Sequence, residues 1–264
     1  MILRGNFSSE VLHMSTSISV FIPEKSEAPF RVVYLLHGLH GDQGTWLDNT
    51  MLPVYGKQYN VVFVMPEAGR SFYLNLKYGR KYFDYVSDEL PRVCRKIFNI
   101  SAAREDTAVM GCSMGGFGSL LLSLTRPERF GFCGAIAPAC LFFKPMLDAL
   151  REDPKPYIQT GSEAVEVVAD MHAAYGEGLE HRKEYEMVDL AGKFSADMPK
   201  PKIFTTCGTE DKLRAENLRF RDFISKTDHD FTYEEWAGGH DWYFFDAALK
   251  KTLEFWLGVP EKTV

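Results

Sequence analysis

Ser113 stands between glycines in "MGCSMGG", a G-x-S-x-G pattern over residues 111–115. A short strand-like run, "TAVM", leads into it, and a helix-compatible run, "GFGSLLLSLTRP", follows at once. A residue on so tight a strand-to-helix turn sits in an unfavourable backbone region where neighbouring side chains collide. Glycines two residues to either side, Gly111 and Gly115, remove those collisions. The turn lifts the hydroxyl clear of the sheet, and the free N–H groups of a helix N-terminus then lie beneath any developing anion. The plainer alternative is a glycine-rich turn with an incidental serine, which predicts no chemical partners for the hydroxyl.

A serine nucleophile needs a base, and the base needs an orienting acid. Where the serine sits at such a corner, both partners follow it in the chain, the acid before the histidine. Of the seven histidines, His13, His37 and His40 precede Ser113 and drop out. His172 and His181 fall in a charged stretch, and His229 reads as a surface residue in a polar turn. His240 follows "EEWAGG" and precedes the last helical run, so a loop there carries an imidazole toward the serine. "KIFTTCGTEDKL" ends a strand and supplies two acids, with Asp211 the choice and Glu210 the alternative. Either acid also suits the N-terminus of the next helix for electrostatic reasons alone. Asp241 adjoins His240, and chain neighbours do not easily point at each other.

Acyl transfer also requires two donors for an oxyanion. The N–H of Met114, next to the serine, is one, and the N–H of Leu39 in "YLLHGLHGDQGTW" is the second candidate. His37 and His40 then read as structural residues rather than metal ligands, because no ligand set converges with them. Three aromatic residues just beyond strand ends, Trp46, Tyr73 and Phe142, are candidate substrate contacts.

These residues need a scaffold, and the pattern of the chain supplies one. "SISVFIP" alternates like an edge strand, while "FRVVYLLHG" and "NVVFVMPE" are continuous apolar runs, as buried strands are. "KYFDYVSDELPRVCRKIF" has helical spacing with Pro91 inside it, which predicts a kink or a fresh helix start. Strands then alternate with helices through "FGFCGAIAP", "KIFTTCG", "RAENLRFRDFISK", "FTYEEW" and "WYFFDAALKKTLEFWL". The alternation predicts an α/β fold with a mostly parallel sheet covered on both faces. Residues 141–199 are charged, helix-prone and without a strong strand, and read as an insertion. Such an insertion is either a solvated helical decoration or a cap over a pocket.

With 264 residues, 45% of them apolar, the chain reads as one domain with a large core. The net charge is −6 and no lysine–arginine block is present, which speaks against a nucleic-acid partner. The N-terminal stretch does not read as a signal peptide, and no run of apolar residues predicts a membrane span. Five cysteines without a CxxC pair fit buried reduced thiols and a cytoplasmic location. A homo-oligomer stays open.

Six segments, "YLLHGLHGDQGTWLDNT", "VMPEAGRSFYLN", "DELPRVCRKIF", "VMGCSMGGFGSLLLSLTRPERF", "CGTEDKL" and "GGHDWYFFDAALK", resemble the esterase D-like family of α/β-hydrolases. Within it the likeness is to the tributyrin esterase and feruloyl (cinnamoyl) esterase group. It covers most of the chain except 141–199, and the segments keep the family's order. The resemblance implies an α/β-hydrolase fold with Ser113 as nucleophile, Asp211 as acid and His240 as base. It also implies oxyanion donors at the backbone of Leu39 and Met114, with no metal and no cofactor. The expected activity is that of a serine carboxylesterase working through an acyl-enzyme. Its small-molecule substrates would be short-chain acyl, feruloyl-type or acetylated-sugar esters. Two alternatives stand beside it: an S-formylglutathione hydrolase-type thioesterase, and a catalytically silent binding module on the same scaffold. Members vary in the insertion, so substrate choice does not follow from the likeness.

Overall fold

The apolar runs of the sequence assemble into one eight-stranded sheet in the order β1-β2-β4-β3-β5-β6-β7-β8. The strands are β1 (Ile2–Ser9), β2 (Met14–Phe21), β3 (Arg31–Leu36), β4 (Val61–Pro66), β5 (Thr107–Cys112), β6 (Phe132–Ile136), β7 (Lys202–Gly208) and β8 (Phe231–Trp236). The computed structural model describes residues 1–24, 29–155, 162–194 and 197–259. β2 runs antiparallel to both of its neighbours, and every pairing from β4 across to β8 is parallel.

Burial explains why the central strands read as unbroken apolar runs. Every residue of β4 and β5 is buried, and in β3 only Arg31 is exposed. Alternate side chains feed two cores, one on each face. Val32, Tyr34 and Leu36 of β3 join the core beneath the helices Leu90–Ile97 and Met114–Thr125. Val33 and Leu35 join the core beneath Leu52–Tyr59 and Trp242–Leu257. The parallel strands therefore end on a common side, where catalytic groups of such sheets collect.

One detail of the sheet differs from the sequence-based expectation. β2 is not the edge. β1 lies outside it, paired along its whole length from Ile2 opposite Phe21 to Ser9 opposite Met14. Six of the eight β1 residues are exposed or nearly so, and a strand wet on both faces carries no period for a reader to find. Pro91 stands at a fresh helical start, as the sequence suggests, although the chain is already helical before it. Tyr82–Asp84 runs through a π turn, Tyr85–Glu89, into Leu90–Ile97, with Pro91 in the first turn of that last segment. The carbonyl of Ser87, four residues before the proline, accepts instead from the Arg129 guanidinium at 2.9 Å. The bond that proline cannot make is thus replaced by a side chain.

The described part of 141–199 is helical: Phe143–Glu152, Ser162–Tyr175 and Met187–Ala191, with a 3₁₀ turn at Lys183–Tyr185. It is docked onto the sheet layer. The Phe143 ring meets Phe117 edge-on at 5.0 Å, Phe72 at 5.9 Å and Tyr175 at 5.4 Å. Arg70 binds Asp170 at 2.8 Å, and the Tyr78 N–H donates to the Ala173 carbonyl at 3.0 Å. His229, read from the sequence as a surface residue, is buried. Its Nε2–H donates to the Ala191 carbonyl at 3.1 Å, and the ring packs edge-on against Phe194. The start of β8 is thereby tied to the end of the insertion.

Because Phe143 is fully buried among three rings, replacing it with Ala should cost about 3–5 kcal/mol of stability. Urea unfolding of the variant would measure this, and a loss well under that range would show that the helical segment is only loosely docked.

Candidate active site

β5 ends at Cys112 and the next helix begins at Met114, so Ser113 is the entire turn. Its φ is +55° and its ψ −119°, a conformation costing a non-glycine residue on the order of 1–3 kcal/mol. Backbone bonds hold it there. The Ser113 N–H donates to the Ile136 carbonyl at 2.9 Å, and its own carbonyl accepts from Phe117 and Ala139, both at 3.1 Å. The two flanking glycines are steric necessities. A Cβ on Gly111 would lie 2.5 Å from the Gly115 carbonyl oxygen, and one on Gly115 would lie 2.3 Å from that of Leu36.

His240 and Asp211 reach the same point from two other strand ends. The His240 Nε2 lies 3.0 Å from the Ser113 Oγ, and its Nδ1 lies 2.7 Å from the Asp211 Oδ2. A carboxylate only accepts, so Nδ1 carries the ring proton and Nε2 offers its lone pair to the serine hydroxyl. Asp211 is buried, and its other oxygen accepts from the Leu213 N–H at 2.8 Å. Of the two acids after β7, Asp211 is the one bonded to His240, while Glu210 is exposed and donates its N–H to the Gly238 carbonyl. Asp241 caps the helix Trp242–Leu257 by accepting from the Phe244 N–H. The His240 ring stands edge-on against Phe245 at 5.0 Å.

The loop after β3 completes the arrangement. His37 is buried, and its Nε2 accepts from the Ala68 N–H at 3.1 Å, which leaves Nδ1 as the protonated nitrogen. Nδ1 donates to the Gly38 carbonyl at 2.8 Å, and the Gly41 N–H reaches the same oxygen at 3.0 Å. The peptide is planar, so fixing the Gly38 carbonyl also fixes the direction of the Leu39 N–H on its far side. Burial pushes the His37 imidazole below its ordinary pKa and keeps it neutral. The reading of His37 as a structural residue agrees with these contacts.

Ser113, Leu39, Met114 and His240 share the wall of a cavity of about 430 Å³. Phe72, Val167, Leu213, Trp242 and Phe245 supply its apolar surface. The three aromatic residues proposed from sequence do not line it. Trp46 is fully buried, donating its indole N–H to the Leu36 carbonyl at 2.9 Å and meeting Trp242 edge-on. Tyr73 is fully buried with its hydroxyl donating to the His37 carbonyl at 2.9 Å. Phe142 faces the Arg219 guanidinium at 3.9 Å. All three were placed by their distance from strand ends, which fixes position along the chain but not the side on which a ring lands. Phe72 adopts φ +50° and Tyr73 +58°, a local backbone reversal that sends one neighbour to the cavity and buries the other. All five cysteines are unbridged, and Cys112 beside the serine has its thiol pushed up to about 12 by burial. No group of three or more His, Cys, Asp or Glu among the described residues could hold a metal ion. No helix among them is long and apolar enough to cross a membrane.

A family model described as "putative esterase" matches residues 9–256. The chain belongs to this esterase family. It is a carboxylic ester hydrolase with the α/β-hydrolase fold, and the silent binding-module alternative is set aside. An acetyl esterase of Caldicellulosiruptor saccharolyticus is 28% identical over 266 residues, which is 96% of this chain and 97% of that one. The fluorophosphonate-binding serine hydrolase F of Staphylococcus aureus superposes with a TM-score of 0.84 at 25% identity, covering 97% of this chain and 98% of its own. An S-formylglutathione hydrolase of the same organism gives 0.81 at 25% identity with the same coverage. A ferulic acid esterase, 21% identical with a TM-score of 0.76 over 98% of this chain and 97% of its own, shares the fold.

Gly115→Ala should destabilise the enzyme by about 1–3 kcal/mol, lowering Tm by several degrees, since backbone rather than a flexible side chain opposes the new methyl. An unchanged Tm in a calorimetric scan would contradict the packing described. Burial also holds His229 below its ordinary pKa, as it does His37. Below about pH 6.5 the unfolded chain takes up protons at these imidazoles that the native state refuses, so stability should fall with pH. The loss is at most about 1.4 kcal/mol per pH unit for each ring. Urea titrations across that range should show a shallower slope for His37→Gln than for the wild type.

Proposed function

We propose that the enzyme hydrolyses esters of short-chain carboxylic acids through a covalent acyl-serine. The observation that carries this reading is the unbroken hydrogen-bonded line from Ser113 Oγ through His240 to buried Asp211, at the wall of a partly apolar cavity. His240 takes the hydroxyl proton as Oγ attacks the ester carbonyl, and later delivers it to the departing alcohol. Asp211 keeps the imidazole in the required tautomer and stabilises its charged form. The N–H groups of Met114 and Leu39 receive the oxyanion, and losing one such donor typically costs about 2.7–4 kcal/mol of barrier. Water, activated by His240 in turn, releases the acid.

The preference for a short acyl group rests on the acetyl esterase relative and on a cavity lined by Phe72 and Val167. Val167 belongs to the helix Ser162–Tyr175, and on this reading that helix acts as a cap over the acyl site rather than a remote decoration. The similarity to an S-formylglutathione hydrolase over nearly the whole of both chains supports a second reading, the same chemistry on a thioester.

Ser113→Ala should abolish fluorophosphonate labelling and lower p-nitrophenyl butyrate turnover by about 10⁴-fold or more, with Tm preserved. Near-normal turnover in a folded variant would remove Ser113 from the nucleophile's role. Comparing the wild type on acetate, butyrate, ferulate and S-formylglutathione would then rank the acyl and leaving groups.

A further inference from the structure

The cavity beside Ser113 carries a single formal charge on its described wall, and that charge is positive. Lys212 is the only Lys, Arg, Asp or Glu among the lining residues. It follows Asp211 directly in the loop after β7 and is exposed. It forms no ion pair or hydrogen bond with the described residues; of the acids near it, Glu210 is exposed and three others are occupied. Asp211 serves His240 and Leu213, Glu235 holds Arg214 through both oxygens, and Glu216 accepts from the Leu141 N–H at 2.6 Å. The other fixed polar features of the wall point the same way. The N-terminal end of the helix Met114–Thr125 opens onto it, with the positive end of the helix dipole. On a chain of net charge −6, a cavity without one carboxylate on its wall is a local reversal of sign.

Location separates two kinds of substrate group. The apolar part of the wall, with Phe72 and Val167, suits the acyl chain. Lys212 is solvent-exposed, and because a leaving alcohol must depart to water, the alcohol is assigned to that part of the wall. We propose that the leaving group of the preferred substrate carries a carboxylate, and that Lys212 is the specificity-determining residue that receives it. This rests on Ser113 being the nucleophile. A lysine ammonium is a compact charge on a flexible stem, suited to meeting an anion whose position varies between substrates. Its attraction acts where water still reaches, so the gain is modest and falls with salt.

The test uses two aryl acetates of nearly equal shape, 4-carboxyphenyl acetate and 4-carbamoylphenyl acetate, on the intact enzyme. The readout is the ratio of their kcat/KM values in the wild type, Lys212→Met and Lys212→Glu. Taking the ratio within each protein, then comparing proteins, cancels the different leaving-group acidities. The carboxylate-to-amide ratio should fall about fivefold in Lys212→Met and about fivefold again in Lys212→Glu. The wild-type ratio should also drop toward that of Lys212→Met as salt rises. Equal ratios in the three proteins, with the amide ester still turned over, would overturn the role of Lys212 and leave the esterase reading standing. Failure of the wild type to hydrolyse either ester, or any simple aryl acetate, would overturn the Ser113 reading and this inference with it.

Discussion

Backbone lies against backbone at the ends of four strands, and the site exists only because nothing intervenes. Gly111 and Gly115 let the elbow close on itself and on the Leu36 carbonyl, which draws the start of the β3 loop to within reach of Ser113. At the other end of the sheet, a Cβ on Gly208 would sit 2.1 Å from the Gly238 carbonyl oxygen. The loops after β7 and β8 therefore cross in contact, and Asp211 and His240 meet across that crossing. Strand register carries the rest. Leu36 pairs with Gly111, and Gly208 pairs with Trp236, so the strand ends are level before any loop begins. Tight packing of this kind has no slack to absorb a methyl group.

Once the loops converge, burial sets the electrical state of each group. Asp211 loses water but gains two N–H donors, one from the His240 ring and one from Leu213. His37 loses water and gains one donor and one acceptor, a pairing that only a neutral imidazole satisfies. The two histidines thus play opposite parts on the proposed mechanism. His240 must become charged in each cycle and has a carboxylate beside it. His37 must stay neutral, because a second ring proton would face the Ala68 N–H and loosen the Gly38 peptide. One residue type does both jobs, and the neighbouring atoms decide which.

Much of this was legible in the sequence, for reasons that also mark the limits. Ser113 and Asp211 each follow a strand with a strong apolar signal, and His240 was placed by the glycine pair between the half-buried strand "FTYEEW" and the last helix, so the order of elements was enough to place them near one another. The loop after β3 was legible through its glycines. β1 was not, because Ile2–Ser9 is wet on both faces and buries too little to impose a period. The π turn before Pro91 was not, because its compensation comes from Arg129, distant in the chain. The cavity wall was least legible of all. Trp46 and Phe72 are both aromatic residues beyond strand ends, and only the direction of their backbones sends one inward to Leu36 and the other to the cavity.

That contrast explains why an esterase can keep its chemistry and change its substrate. The reacting groups are held by contacts that tolerate no substitution without strain: backbone against backbone, a buried acid with both oxygens bonded. The wall is assembled from segments that meet through side chains rather than backbone, as where Phe72 packs on Phe143 and Arg70 binds Asp170. Phe72 comes from a loop with a reversed backbone, Val167 from the insertion, and Lys212 from an exposed position that supports no other residue. Val167 lines the cavity without touching the line from Ser113 to Asp211. Changing Lys212 alters the charge that an arriving molecule meets. Of these wall residues Phe72 is itself part of the core, packed against Phe143, whereas exposed Lys212 stands outside the line from Ser113 to Asp211 and is the one whose replacement costs the fold least.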